Sequence, residues 1–261
     1  MAKVITVTNQ KGGVGKTTSS VHLALAIKKA NPDSRVAVID LDAQGHSTLF
    51  LSGDMELRRK EGGASLLFEA PADLKPVMTP AGIALYHGHD KLGALDEGEY
   101  TSEDAIKLKD YIRSLPYDYI IIDTPPALGL RQFASVIWAD VLLVVSDTGQ
   151  FALTGIAAVK GMVDMLRVNN LLDKNFAFRV IFNKFNPKNV QDSLVYEKFR
   201  SMYGDDVVEQ TLPFSEAFKT VEMQREPIWE LTYMPRRIRD LFLSLPVHIG
   251  VMPAPVTTEG E

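Results

Sequence analysis

The chain has 261 residues, 46% hydrophobic and 23% charged, a balance that can bury a sizeable core and excludes a wholly disordered protein. A formal net charge of −5 argues against a surface that coats nucleic acid everywhere, while leaving room for a local basic patch. The absence of cysteine removes disulfides, thiol catalysis and cysteine-held zinc or iron–sulfur clusters. No apolar run approaches the roughly 20 residues of a membrane span, and no signal peptide is evident, so a cytoplasmic protein is expected.

In chain order, KVITVTN at 3–9 reads as a strand and runs directly into NQKGGVGKTTSS. Val21, Leu23, Leu25 and Ile27 among alanines predict a mostly buried helix over 17–30. RVAVIDLD at 35–42 is a second strand whose nearly unbroken apolar character suits burial on both faces of a parallel sheet. From 52 to 100 the pattern weakens into glycines and the charged stretch DMELRRKEGG, with a short strand at IALYHG. An amphipathic helix at 103–115 feeds the third strong strand, YDYIIIDTPP. Further strands lie at 139–146 and 176–185, with a long helical pattern at 153–172 between them. This alternation predicts an α/β fold, a single-domain doubly wound, mostly parallel sheet flanked by helices, over residues 1–246. The proline-rich end has no helical period, and 247–261 are expected to form a flexible tail.

The glycines after the first strand frame a chemical question. Gly12, Gly13 and Gly15 forgo side-chain packing, which is unfavourable unless the backbone itself is needed. Lys11 and Lys16 bracket them and repel each other unless an anion lies between. A turn from strand into helix aims successive N–H groups at one spot, and the helix N-terminus adds positive charge, so the segment reads as a phosphate cradle. Lys16 then reaches the β- and γ-phosphates, and the Thr17 hydroxyl holds Mg²⁺.

The cradle departs from G-x-x-x-x-G-K-[ST], because Gln10 stands at the first glycine's place and Lys11 follows it. KGGVGKTT is the deviant form, and here the sequence resembles the ParA/MinD family of Walker-type ATPases. The resemblance implies the P-loop NTPase fold of the deviant Walker A class, with ATP and Mg²⁺ as cofactors. It implies that Gly12, Gly13, Val14, Gly15, Lys16, Thr17 and Thr18 hold the nucleotide and that Lys11 reaches across a dimer interface to the partner's phosphates.

Asp123 ends a buried strand at its carboxyl side, where open α/β sheets bind ligands, and is expected at the metal; a turn cap is the plainer alternative. Asp40 and Asp42, two apart in DLDAQGHST, share one side if the strand persists. By resemblance Asp42 orients or deprotonates the attacking water and Asp40 supports the Mg²⁺ shell, with Ala43 in place of the family's usual proline. Asn183 matches the position whose amide reads adenine, and Pro213 and Phe214 resemble a second base-contacting loop. The GTP-specific N-K-x-D pattern is absent, since Asn186 follows Phe185.

ParA-type members of the family dimerise on ATP, bind DNA without sequence preference and are released when a partner protein stimulates hydrolysis. MinD-type members instead dock on membrane through a C-terminal amphipathic helix. The end of this chain carries no lysine or arginine after RRIRDLFLSL, which favours a DNA-partitioning ATPase over a membrane-positioning one, and no membrane partner is expected. Lys184, Lys188, Lys219, Arg225, Arg236, Arg237 and Arg239 are candidates for DNA phosphate contacts, against the plainer role of solvated surface charge. The expected partners are a second copy of the chain, duplex DNA at the nucleoid, and a ParB-like or adaptor protein.

Overall fold

The structure, a computed structural model, describes residues 1–98, 100–126 and 129–254. Seven strands are described: β1 (Lys3–Thr8), β2 (Val36–Asp40), β3 (Val77–Met78), β4 (Ala84–Tyr86), β5 (Tyr119–Asp123), β6 (Val141–Ser146) and β7 (Ala177–Phe182). The helices are α1 (Lys16–Ala30), α2 (His46–Ser52), α3 (Leu66–Glu69), α4 (Ser102–Ser114), α5 (Leu130–Trp138), α6 (Ala152–Val168), α7 (Val190–Tyr203), α8 (Ala217–Gln224), α9 (Arg236–Leu243) and α10 (Leu245–His248). The strands form one sheet in the order β3-β4-β2-β5-β1-β6-β7. All neighbours are parallel except the two-residue edge strand β3, which runs antiparallel to β4.

The nearly unbroken apolar strands follow from burial on both faces. Val4, Ala37, Ile39, Ile120, Ile122 and Leu142 point into one layer with α4, α5, α6 and α7. Ile5, Val7, Val36, Val38, Ile121 and Leu143 point into the other with α1, α8, α9 and α10. Alternate side chains thus enter opposite cores, and polar ones such as Thr6 and Thr8 are buried there with hydrogen-bond partners. β1 pairs with β5 on one side and β6 on the other. From β1 the chain passes through α1 to β2 on one side, whereas from β6 it passes through α6 to β7 on the other. β1 and β6 therefore flank a topological switch point, where such sheets open a crevice at their carboxyl ends.

Local chemistry sets the edges of several elements. α4 starts in a capping box in which Thr101 and Asp104 satisfy each other's backbone N–H groups. In the weakly patterned 52–100 stretch, helical turns at Asp90–Glu97 carry Asp96 to Arg131 at the start of α5 (2.7 Å). Arg131 is buried, and its Nη1 also donates to the Leu41 carbonyl (2.9 Å), tying this stretch to the end of β2.

Two expectations change. β2 stops at Asp40, so strand alternation does not extend to Asp42. The tail expected to be free from 247 is packed to Met252: Ile249 is buried, and the N–H groups of Val251 and Met252 donate to the Pro246 carbonyl at 2.9 and 3.0 Å. Leu245 and Ile249 join the α1 core, and the pull of that burial outweighs the lack of a helical repeat in the sequence. Residues 255–261 lie outside the described residues. Among the described residues no helix is long and apolar enough to cross a membrane.

Candidate active site

A cavity of about 550 Å³ opens where β1 gives way to α1. Gly12, Gly13, Gly15, Lys16, Thr17 and Thr18 line it, together with Asp42, Gln44, His46, Phe50 and Pro126 among others. Gly13 and Gly15 take φ of 73° and 97°, a region that strains any residue with a Cβ. At Gly15 a Cβ would also collide with the Asn183 amide. α1 begins immediately behind Gly15 without a side-chain cap, so its first N–H groups face the loop as donors for an anion.

Lys16 is 7% exposed, and its Nζ donates to the Lys11 carbonyl at 3.2 Å. Burial holds its pKa below the usual lysine range, against the attraction of Asp123 and then Asp42. Desolvating an ammonium beside flexible turns is costly unless a counter-charge is to be met there.

The three carboxylates lie in two settings. β2 and β5 are registered so that Asp40 and Asp123 stand side by side at the strand ends, both buried. Asp123 accepts from Ser20 Oγ (2.8 Å) and Ser47 Oγ (2.5 Å). Burial pushes its carboxyl up, opposed by hydrogen bonds from Ser47, Ser20 and Thr17. Asp40 accepts from the Thr48 N–H (2.9 Å) and hydroxyl (2.7 Å). Burial, followed by the charge of Asp123, pushes Asp40 up to about 8. Asp42 is half-buried, lines the cavity and accepts from the Gln44 N–H at 3.0 Å. Its place is set by the turn after Asp40, whose Oδ1 receives the Asp42 N–H at 3.1 Å.

The Thr17 hydroxyl and these carboxylates are hard oxygen donors of the kind Mg²⁺ takes. Among the described residues no three His, Asp or Glu side chains converge as a cage. That arrangement fits Mg²⁺, which keeps its waters and is held by one or two carboxylates together with substrate phosphates.

Other expected residues fall in different places. Lys11 does not line the cavity; its Nζ sits 2.5 Å from Asp147 in the loop after β6. Asn183 is buried, and its Nδ2 donates to the Val14 carbonyl at 2.8 Å. Pro213 pairs with Phe185, Phe214 is exposed, and neither lines the cavity. Lys184 does line it, with Nζ 2.7 Å from the Gly13 carbonyl. Lys188 and Arg237 are exposed, and Lys219 pairs with Glu216 (2.5 Å). The Arg225 guanidinium lies alongside Gly53. Arg236 is 87% exposed beside Asp240 (3.5 Å), and Arg239 is partly buried with Nε unpartnered. The seven basic residues thus differ in exposure and in pairing.

Sequence reasoning missed Ser20 and Ser47, which hold Asp123, and the α2 and α8 residues Leu49, Phe50, Val221 and Glu222 that complete the cavity. It also missed Asp147, although SDTGQ places a carboxylate at the carboxyl end of a parallel strand, the same signal that marked Asp123.

A family profile described as an AAA domain matches residues 2–178. The chain is 28% identical over 218 residues to the chromosome partitioning protein ParA of Caulobacter vibrioides, spanning 81% of this chain and 80% of that protein. It is 28% identical over 256 residues to the sporulation initiation inhibitor protein Soj of Bacillus subtilis, spanning 94% and 97%. The ATP complex of McdA from Cyanothece superposes with a TM-score of 0.82 at 20% identity, covering 97% of this chain and 98% of that one, which shows a shared fold.

Proposed function

The chain belongs to the AAA-domain family and, within it, to the ParA-type P-loop ATPases of partition systems, and from that premise we propose that it is a Mg²⁺-dependent ATPase whose ATP-bound dimer holds duplex DNA until a partner protein stimulates hydrolysis. The observation that carries the proposal is the buried Lys16 at the uncapped start of α1, in a cavity that Asp42 also lines.

In this scheme the loop N–H groups and Lys16 take the phosphates, with Thr17, Asp40 and Asp123 toward the metal. Bound Mg²⁺ neutralises phosphate charge during transfer. Asp42, the carboxylate that lines the cavity, orients the attacking water and takes its proton. Lys11 leaves Asp147 to meet the phosphates of a second copy, adding a cation where charge develops. Asn183 spends one amide N–H on the Val14 carbonyl, and in this scheme its second N–H and its Oδ1 meet the base. Non-specific DNA contact falls to exposed cations such as Arg236 and Arg237 on α9. α9 packs Phe242 against α1 rather than offering it to a bilayer, which favours DNA over a membrane surface.

The test is retention of duplex DNA by the protein with ATP and Mg²⁺ at low salt. Affinity should fall steeply with rising salt and vanish with ADP. Indifference to DNA at low salt, with ATP hydrolysis intact, would remove the DNA half of the proposal.

A further inference from the structure

Two consecutive residues leaving β7 grip two consecutive carbonyls of the phosphate loop. Asn183 Nδ2 donates to Val14 O at 2.8 Å, and Lys184 Nζ donates to Gly13 O at 2.7 Å. The backbone is anchored on either side of Lys184: Asn183 N–H bonds Ser146 O (2.7 Å), and Phe185 N–H bonds Leu212 O (3.0 Å). Between these anchors Lys184 adopts φ of 59°, a left-handed conformation that residues with a Cβ rarely take. Such an outlier persists when its surroundings over-determine it, and it invites a functional explanation.

The geometry has a chemical consequence. In a trans peptide the C=O and the following N–H point in opposite directions. Holding Gly13 O and Val14 O from the β7 side therefore aims the N–H groups of Val14 and Gly15 the other way, as donors. An ammonium on Gly13 O also polarises that peptide and strengthens its N–H as a donor. A glycine-rich loop otherwise has to be ordered when its ligand binds, at the ligand's expense.

We propose that Asn183 and Lys184 form a clamp that pre-forms the loop for a nucleoside triphosphate, which makes Lys184 a positioning residue of the nucleotide site and not a DNA contact. The inference rests on the nucleotide-site assignment under Proposed function and assigns new roles within it. Lys184 is exposed and basic, the profile of a DNA contact, but its ammonium bonds a loop carbonyl and lines the cavity that holds Lys16. Because that partner is neutral, the positive charge stays available to phosphates nearby.

Lys184→Met keeps the aliphatic stem and removes the donor; Lys184→Arg restores one. Titration of the full chain with MgATP should show K184M binding about tenfold more weakly, the order lost with one charge-assisted hydrogen bond. In steady-state hydrolysis KM should rise with kcat nearly unchanged, and K184R should recover most of the loss. With ATP saturating, the slope of log DNA affinity against log salt should match the parent's. Unchanged MgATP affinity in K184M, or no recovery in K184R, overturns the clamp. So does a salt slope smaller by about one unit, the mark of a lost phosphate contact. Failure of the parent chain to bind MgATP overturns the nucleotide-site assignment as well, whereas parent binding with an unaffected K184M overturns the clamp alone.

Discussion

The phosphate loop and the C-terminal α8–α9 region both carry basic residues, in opposite settings. Lys16 is almost wholly buried and its ammonium is disfavoured by desolvation. Arg236 is 87% exposed, a turn away from Asp240 on the same helix. A solvated charge needs no special reason, and exposed pairs contribute about 0–1 kcal/mol. A cation held out of water at a loop of left-handed glycines is destabilising on its own and points to an anionic ligand. The difference between the regions is thus whether charge has been desolvated before a ligand arrives.

Substitutions can break that comparison, and the largest effect is expected at Lys16. Lys16→Ala should reduce MgATP affinity by more than about a hundredfold, read by titration, because a buried charge-assisted contact to phosphate is lost. Retained affinity would put the desolvated cation outside the ligand site. Asp42→Ala should preserve MgATP binding and lower turnover by about 10²–10⁴, the usual range for a general base. Size-exclusion with ATP should then show an accumulated dimer; loss of binding in step with turnover would contradict a role confined to the water.

A third measurement sharpens the link between the two regions, which meet at His22. Its Nδ1–H donates to Thr18 O (2.7 Å) beside the loop, and its Nε2 accepts the Ile228 N–H (3.1 Å) before α9. Phe50, Phe218, Trp229 and Phe242 pack around the ring, and burial lowers its pKa to about 4 from 6.5. Between those values the unfolded chain binds a proton that the folded chain refuses, so the contribution is intact above pH 6.5, falls as pH drops, and levels off below about 4. The loss is about 3 kcal/mol across the window. Asp40, held near 8 in the fold, acts in the opposite sense over the same range. The His22 effect is therefore the difference between parent and His22→Phe in urea unfolding at pH 7 and pH 4, and a constant difference would show that His22 does not titrate as described.

The smallest effects belong to the solvated cations. Arg236→Ala and Arg237→Ala should leave unfolding free energy within about 0.5 kcal/mol of the parent. Each should still reduce the salt slope of DNA affinity by about one unit if it meets a phosphate. Unchanged slopes in both would move the DNA surface off α9.

The sequence by itself determined the sheet and the cradle, because both are written in short-range order. Near-continuous apolar strands specify burial on two faces, glycines at positive φ specify the loop, and a strand-terminal aspartate specifies Asp123. Only the tertiary structure decided which neighbours those residues meet. Lys184 finds Gly13 across 171 positions, Lys11 finds Asp147 across 136, and His22 finds Ile228 across 206. The 52–100 stretch shows the same division: it has no strong period, yet its Asp96 anchors Arg131, and Arg131 in turn holds the Leu41 carbonyl between Asp40 and Asp42. A side chain's role is set by the dielectric and the partners around it, and for these residues the surroundings arrive from distant segments only when parallel strands bring their carboxyl ends to one edge.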